Sequence, residues 1–177
     1  MAPAAEKFSS FVALAQSRNL KEIRSNLLVA AVTAVLLYFV QWPALRAGLT
    51  VIVVSRVLVA AVSFRRHSSY RKLLDRLSHD DFNTAGMMPW FDEEQKFVSR
   101  AKLLYAGPIL GLMILGYGLW VQTRNLWIAI ALGVVYPASI AFGVWNANDV
   151  RAIRLIRKQR SLMASLLAGN IRSQPPL

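Results

Sequence analysis

Four long apolar stretches divide the chain into segments of membrane-spanning length. They cover residues 26–42, 44–64, 103–121 and 126–145, and each is close to the roughly 20 residues that cross a bilayer core as a helix. Only QWP separates the first two stretches, and only QTRN separates the last two. The pattern therefore predicts an all-α, polytopic transmembrane four-helix bundle, built from two helical hairpins and flanked by cytoplasmic amphipathic helices.

This pattern also predicts how the chain is organised. An amphipathic N-terminal segment, residues 1–25, precedes a first transmembrane hairpin, residues 26–64. A basic connector, residues 65–100, leads to the second hairpin, residues 101–146, and a basic amphipathic tail, residues 147–177, follows. Glu6 and Glu22 precede the first apolar stretch, and this does not fit a cleavable secretory signal.

The connector is expected to have three parts. Leucines at helical spacing in SYRKLLDRLSHDD predict a short amphipathic helix. NTAGMMPWF reads as a turn whose Trp90 and neighbouring apolar side chains would dip into the membrane interface. Asp92 and Gln95 then form a capping-box pattern, which indicates a helix that runs directly into the third apolar stretch.

The tail has a basic face and an apolar face. At 100° per residue its basic side chains fall within an arc of roughly 120°, opposite the apolar ones. These basic residues are Arg151, Arg154, Arg157 and Lys158. We expect this helix to lie on the membrane with its basic stripe toward anionic headgroups; the alternative is a straight continuation of the fourth span. Asn146, Asn148 and Asp149 are good N-cap residues and favour a break before the tail.

Positive charge sets the expected orientation. Eighteen of the 21 Lys and Arg residues lie before the first apolar stretch, between the second and the third, or after the fourth. Because such charge is retained on the cytoplasmic side, both termini should face the cytoplasm, or the matrix or stroma of an organelle. The net charge of +12 does not indicate nucleic acid, since the basic residues flank apolar segments. Anionic lipid is the expected partner, with Arg65, Arg66 and Trp90 added to the lipid-binding residues.

The chemistry that the sequence offers is limited. No cysteine is present, so thiolate chemistry and cysteine-ligated metals are excluded. SHDDFN clusters His79, Asp80 and Asp81 near the membrane surface, which would suit a metal-dependent lipid enzyme, but a capped helix end explains it more simply. We therefore expect no catalytic residue, no metal and no cofactor, and the pattern favours a non-enzymatic role.

Arg56 lies in the middle of the second apolar stretch. A charge there costs roughly 2.5 to 3.5 kcal/mol, so such residues usually face a protein interior or a water-filled cavity. None of the four stretches contains Asp or Glu, which leaves hydroxyl and amide side chains and freed backbone carbonyls as acceptors. The candidate side chains are Thr33, Tyr38, Gln41, Tyr105, Tyr117, Tyr136 and Ser139. Arg56 is thus a structural lock, a contact to an acid or phosphate of a partner or lipid, or an anion site in a transport pathway.

Prolines and glycines indicate where the helices pack. Pro108 and Pro137 each leave a carbonyl four residues earlier without its helical donor. Gly107 and Gly111 have the small-xxx-small spacing that permits close helix contacts.

Together these features predict an integral membrane scaffold, assembly or membrane-organising protein that acts through helix packing and basic amphipathic segments on anionic lipid. A homo-oligomer or a membrane-protein partner is expected. The main alternative is a small transporter or channel-like protein with Arg56 as its anion site. An interfacial lipid-modifying enzyme is the third hypothesis.

Overall fold

The computed structural model of this chain describes residues 3–78 and 87–172, and these residues form four long helical rods. The first rod is helix α1, Pro3–Phe39, and the second is helix α2, Pro43–Ser78. The third rod comprises α3 (Met87–Ala101), a 3-10 turn (Lys102–Tyr105) and α4 (Ala106–Thr123). The fourth comprises α5 (Leu126–Ile130), a π-helical turn (Ala131–Val135), α6 (Tyr136–Trp145), a second π-helical turn (Asn146–Ala152) and α7 (Ile153–Arg172).

All four rods are long and apolar enough to cross a membrane, which confirms a multi-pass transmembrane helical protein. The segments that meet this criterion are Glu6–Phe39, Pro43–Leu77, Met88–Thr123 and Leu126–Ser165, with 34 to 40 residues each. At 1.5 Å per residue they measure about 50 to 60 Å, nearly twice the hydrocarbon core. Each rod therefore has an apolar half of membrane length and a further half that carries most of the charge, which we call the basic half.

Two short turns join the rods at the apolar end, as the sequence predicts. Residues 40–42 connect α1 to α2. In the second turn Arg124 adopts a left-handed conformation with φ of 56°, and this ends α4. The side-chain oxygen of Asn125 then accepts hydrogen bonds from the backbone N–H groups of Trp127 and Ile128, at 3.1 and 3.2 Å. These bonds cap α5 and fix the hairpin.

The two prolines coincide with changes of helix type. Pro137 follows the first π-helical turn, where the N–H of Tyr136 bonds to the carbonyl of Ala131, five residues earlier. Pro137 has no N–H to donate to the carbonyl four residues earlier. Because the backbone hydrogen bonds shift to partners five residues apart in the π-helical turn, the rod continues without a break. Pro108 is buried and follows the 3-10 turn in the third rod.

The break expected before the tail is absent. The fourth rod passes through its second π-helical turn and continues as α7, so the tail is a helical continuation of the fourth rod. The physical reason is packing. Ile156 and Met163, on the apolar face of α7, are buried in the core of the basic half. This chain therefore covers part of the tail's apolar face.

That core closes the basic half into a bundle of four helices. It gathers side chains from α1, α2, α3 and α7, and several are fully buried. Its buried members are Phe8, Val12, Tyr70, Leu77, Phe91, Val98, Ile156 and Met163. Residues 83–86 of the expected interfacial turn lie outside the described residues. Residues 87–91 form the first turns of α3, which begins at Met87, five residues before the proposed Asp92 cap.

The apolar half is organised differently. There α1 packs on α2, α2 on α4, and α4 on the fourth rod, in chain order. Gly107 lies against Ser55, and Gly111 lies against Ile52 and Gly48. A Cβ atom on Gly107 would meet the Ser55 Cβ at 2.5 Å, so the α2–α4 approach requires glycine at this position. The fourth rod is the least covered, with 6% of its apolar window buried.

Candidate functional site

Arg56 is bound by residues of the first and third rods. Its Nη1 donates to Oδ1 of Asn26 at 2.9 Å, and its guanidinium carbon lies 5.9 Å from the ring centroid of Tyr105. The Tyr105 hydroxyl in turn donates to Oε1 of Glu22 at 2.6 Å. The Arg56 Nε is buried and has no hydrogen-bond partner among the described residues. These four residues form a polar layer that joins three rods.

The contacts between rods fix the height of this layer. Asn19 donates to the carbonyl of Ser63, so Arg24 on α1 lies near Leu58 of α2. By the same alignment, the first and third rods change from charged to apolar sequence within about one helical turn of Arg56. Arg56 thus lies close to the polar boundary of its neighbours, and not in the middle of the span as the α2 sequence suggests.

In the last part of the α2 apolar stretch, one face is buried in protein. Val59, Ala60 and Ser63 have at most 4% of their surface exposed. They face the part of α1 that precedes its apolar stretch, which carries charged residues and includes Asn19. A run of apolar residues that packs on protein looks the same in sequence as one that packs on lipid.

The other candidate tyrosines are not part of the layer. Tyr117 and Tyr136 lie on exposed faces of α4 and α6. Asn26 and Glu22, the two partners from α1, were not identified from the sequence. Asn26 was the first residue of the predicted span, and Glu22 lies one helical turn before it. The sequence feature that could have identified them is their spacing of four residues, which places both side chains on one face of α1.

Seven exposed basic side chains lie around the polar boundary, and we call five of them, drawn from all four rods, the basic collar: Lys21, Arg24, Arg65, Arg100 and Arg151; the other two are Arg18 and Lys102. All five are exposed. The contacts between rods place them within about 10 Å of one another along the bundle axis. The five side chains therefore form a narrow band of positive charge next to the apolar half.

The remaining predicted lipid-binding residues lie elsewhere. Arg154, Arg157 and Lys158 are exposed, but they follow Arg151 by up to seven residues, or about 10 Å along α7. Trp90 lies still farther from the boundary, and its ring packs edge-to-face on Phe8, with centroids 5.3 Å apart.

Arg66 points inward, away from the collar. It forms an ion pair with Glu94, and its guanidinium stacks on Phe97 at 3.6 Å. It is therefore held within the protein.

His79, Asp80 and Asp81, the residues of the enzyme hypothesis, lie outside the described residues. Within residues 3–78 and 87–172, no group of three or more His, Asp or Glu side chains could hold a metal ion. Comparison of the chain with protein-family models, with curated proteins and with solved structures finds no match.

Proposed function

We propose that this chain is an integral membrane scaffold or membrane-organising protein whose basic collar gathers anionic lipid around a rigid helical bundle. The observation that supports this is the collar itself: five exposed cations from all four rods lie at one level beside the apolar half. Each Lys or Arg near an anionic surface contributes about 1 kcal/mol. The buried core of the basic half holds the four rods together and thereby holds the collar in place.

The basic residues farther out belong to the same proposal as a second surface. Arg154, Arg157 and Lys158 follow the collar residue Arg151 by about 5 to 10 Å along α7. Salt screens the attraction between exposed charges over about 8 to 10 Å, so these residues interact more weakly with the bilayer than the collar does. They are suited to an acidic segment of a partner protein. The assembly role therefore rests on this outer surface, and the lipid role on the collar.

Two matched variants test the lipid role. One replaces the five collar residues by Gln. The other replaces five exposed basic residues of the outer surface by Gln: Arg71, Lys72, Arg154, Arg157 and Lys158. Both remove five positive charges, at heights that differ by about 10 Å along the bundle axis.

Native mass spectrometry of the protein released from bilayers with equal phosphatidylglycerol and phosphatidylcholine measures which lipids it retains. We expect the wild type and the outer-surface variant to retain phosphatidylglycerol preferentially, and the collar variant to lose that preference. Equal retention by all three proteins, or equal loss in both variants, would contradict a role for the collar.

Arg56 supports the scaffold better than the transporter alternative. Its guanidinium is held between Asn26 and Tyr105. It does not line the cavity of the basic half, where all four rods meet. Anion flux in liposomes that disappears in Arg56→Leu, but not in Arg46→Leu at the hairpin turn, would favour the transporter instead.

A further inference from the structure

A cavity of about 190 Å³ lies in the basic half, where all four rods meet. Three alanines on three rods leave this space open: Ala15, Ala101 and Ala152. The second π-helical turn contributes Asn148 to the wall. Such wide turns often occur at functional sites.

One pair of charges in this cavity is neutralised by its own contacts. Arg66 and Glu94 form an ion pair, and the Tyr70 hydroxyl lies 2.9 and 3.0 Å from the two carboxylate oxygens of Glu94. Phe97 covers the guanidinium. Both charges of this ion pair are therefore satisfied within the protein, and neither is available to a ligand.

A second pair of charges in the cavity is not neutralised in this way. Arg18 and Glu22 both line it from α1, one helical turn or about 6 Å apart along the axis. Glu22 accepts the hydrogen bond of Tyr105, and neither Arg18 nor Glu22 forms an ion pair within the described part of the chain. A half-buried carboxylate and an open guanidinium in one cavity call for a ligand that carries both charges.

The position of the cavity indicates where such a ligand comes from. The contacts between rods place Arg18 and Glu22 at the height of the basic collar, within the headgroup layer. The wall of the cavity combines these two charged side chains with apolar ones, among them Phe11, Leu14 and Leu104. A wall of both kinds at the level where the rods change from charged to apolar sequence matches the headgroup end of an amphipathic molecule.

We propose that the cavity binds the headgroup of a zwitterionic aminophospholipid, with its phosphate at Arg18 and its ammonium at Glu22. The space corresponds to about six water molecules at roughly 30 Å³ each, enough for a headgroup but not for acyl chains. The site differs from the collar in residues and in lipid class, so either can fail without the other.

The test uses the full chain in detergent and native mass spectrometry with four probes: phosphatidylethanolamine, phosphatidylglycerol, diacylglycerol and free phosphoethanolamine. We expect one phosphatidylethanolamine per chain to survive release. Arg18→Gln and Glu22→Gln should each lower the bound fraction about tenfold, because each removes one charge-assisted contact. Lys7→Gln, an exposed change near the start of α1, should have no effect.

Glu22→Gln keeps an acceptor for Tyr105, and a melting curve shows whether the variant folds. If it does not, Arg18→Gln, an exposed change, decides the outcome alone. Phosphatidylglycerol bound at the same site with equal affinity would overturn the zwitterionic assignment. Equal binding of diacylglycerol would show that the site does not recognise the headgroup. Equal binding of free phosphoethanolamine would show that the ligand does not need to be a lipid. Binding that neither Gln variant weakens would overturn the site.

Discussion

At the scale of single residues, the polar layer around Arg56 joins three rods through side chains alone. Asn26 is 3% exposed and accepts from the Arg56 guanidinium, while Tyr105 packs on that guanidinium and donates to Glu22. Each of these three contacts joins residues at least 30 positions apart in the chain. A buried polar group that loses its partner carries the full cost of its desolvation, so this layer should set how the rods align.

Arg56→Leu and Asn26→Leu should therefore each lower the free energy of unfolding, by about 1 to 3 kcal/mol, because each leaves a buried partner without its hydrogen bond. The double variant should cost less than the sum of the two, since the second change removes a group already unpaired. Unfolding of the detergent-solubilised protein measures all three. Additive losses, or an unchanged stability of Arg56→Leu, would contradict the structural role.

At the scale of the helices, the α2–α4 crossing depends on the absence of side chains. A Cβ atom on Gly111 would lie 2.5 Å from Cγ1 of Ile52 and 2.9 Å from the carbonyl oxygen of Gly48. The carbonyl belongs to the backbone of α2 and cannot move aside without moving the helix. Gly143 on α6, by contrast, has nothing within 4 Å of such an atom.

Gly111→Ala should lower stability by about 1 to 3 kcal/mol through overpacking. Gly143→Ala adds the same methyl group in open space, and it should leave stability unchanged or raise it, because alanine is the better helix former. Melting temperatures of the two variants in one detergent test this. The same loss in both would show that α2 and α4 do not approach as closely as described.

The tail helix α7 allows a similar comparison. Met163 is 0% exposed in the core of the basic half, whereas Leu162 beside it is 44% exposed. Met163→Ala should cost about 2 to 5 kcal/mol and Leu162→Ala less than about 1 kcal/mol. Chemical unfolding of both variants is the measurement. A tail that lay on the membrane through its apolar face would instead give losses of similar size, or none.

At the scale of the whole molecule, four spans place both termini and the basic half on one side of the membrane and both hairpin turns on the other. The chain contains no cysteine, so single cysteines can report on each side without a background. Ser10 and Ser165 are exposed in the basic half, and Thr123 is exposed at the second hairpin turn.

In sealed vesicles of one orientation, an impermeant maleimide should therefore label Ser10→Cys and Ser165→Cys together, and Thr123→Cys only from the opposite side. Labelling before and after the vesicles are opened distinguishes the two sides. If Ser10→Cys and Ser165→Cys reacted from opposite sides, the number of spans would be odd and the arrangement of four rods would be wrong.

The number of spans and the two hairpins were predictable from the sequence because they depend on local properties. Apolar length decides whether a helix crosses a membrane, and two short polar interruptions mark the turns. The role of Asn125 as a cap is equally local. The continuity of the helix into the tail was not predictable. In the sequence, Asn146, Asn148 and Asp149 favour a break, whereas burial of Ile156 and Met163 favours a continuous helix.

The sequence by itself determined that this is a multi-pass helical membrane protein, because hydropathy, chain length and turn residues act within a few residues of one another. Only the tertiary structure decided that the tail packs in a core, that Asn26 and Tyr105 hold Arg56, and that cations from four rods form one collar. These features depend on the register between rods. That register is set by close contacts such as Gly107 with Ser55, which join residues far apart in the chain.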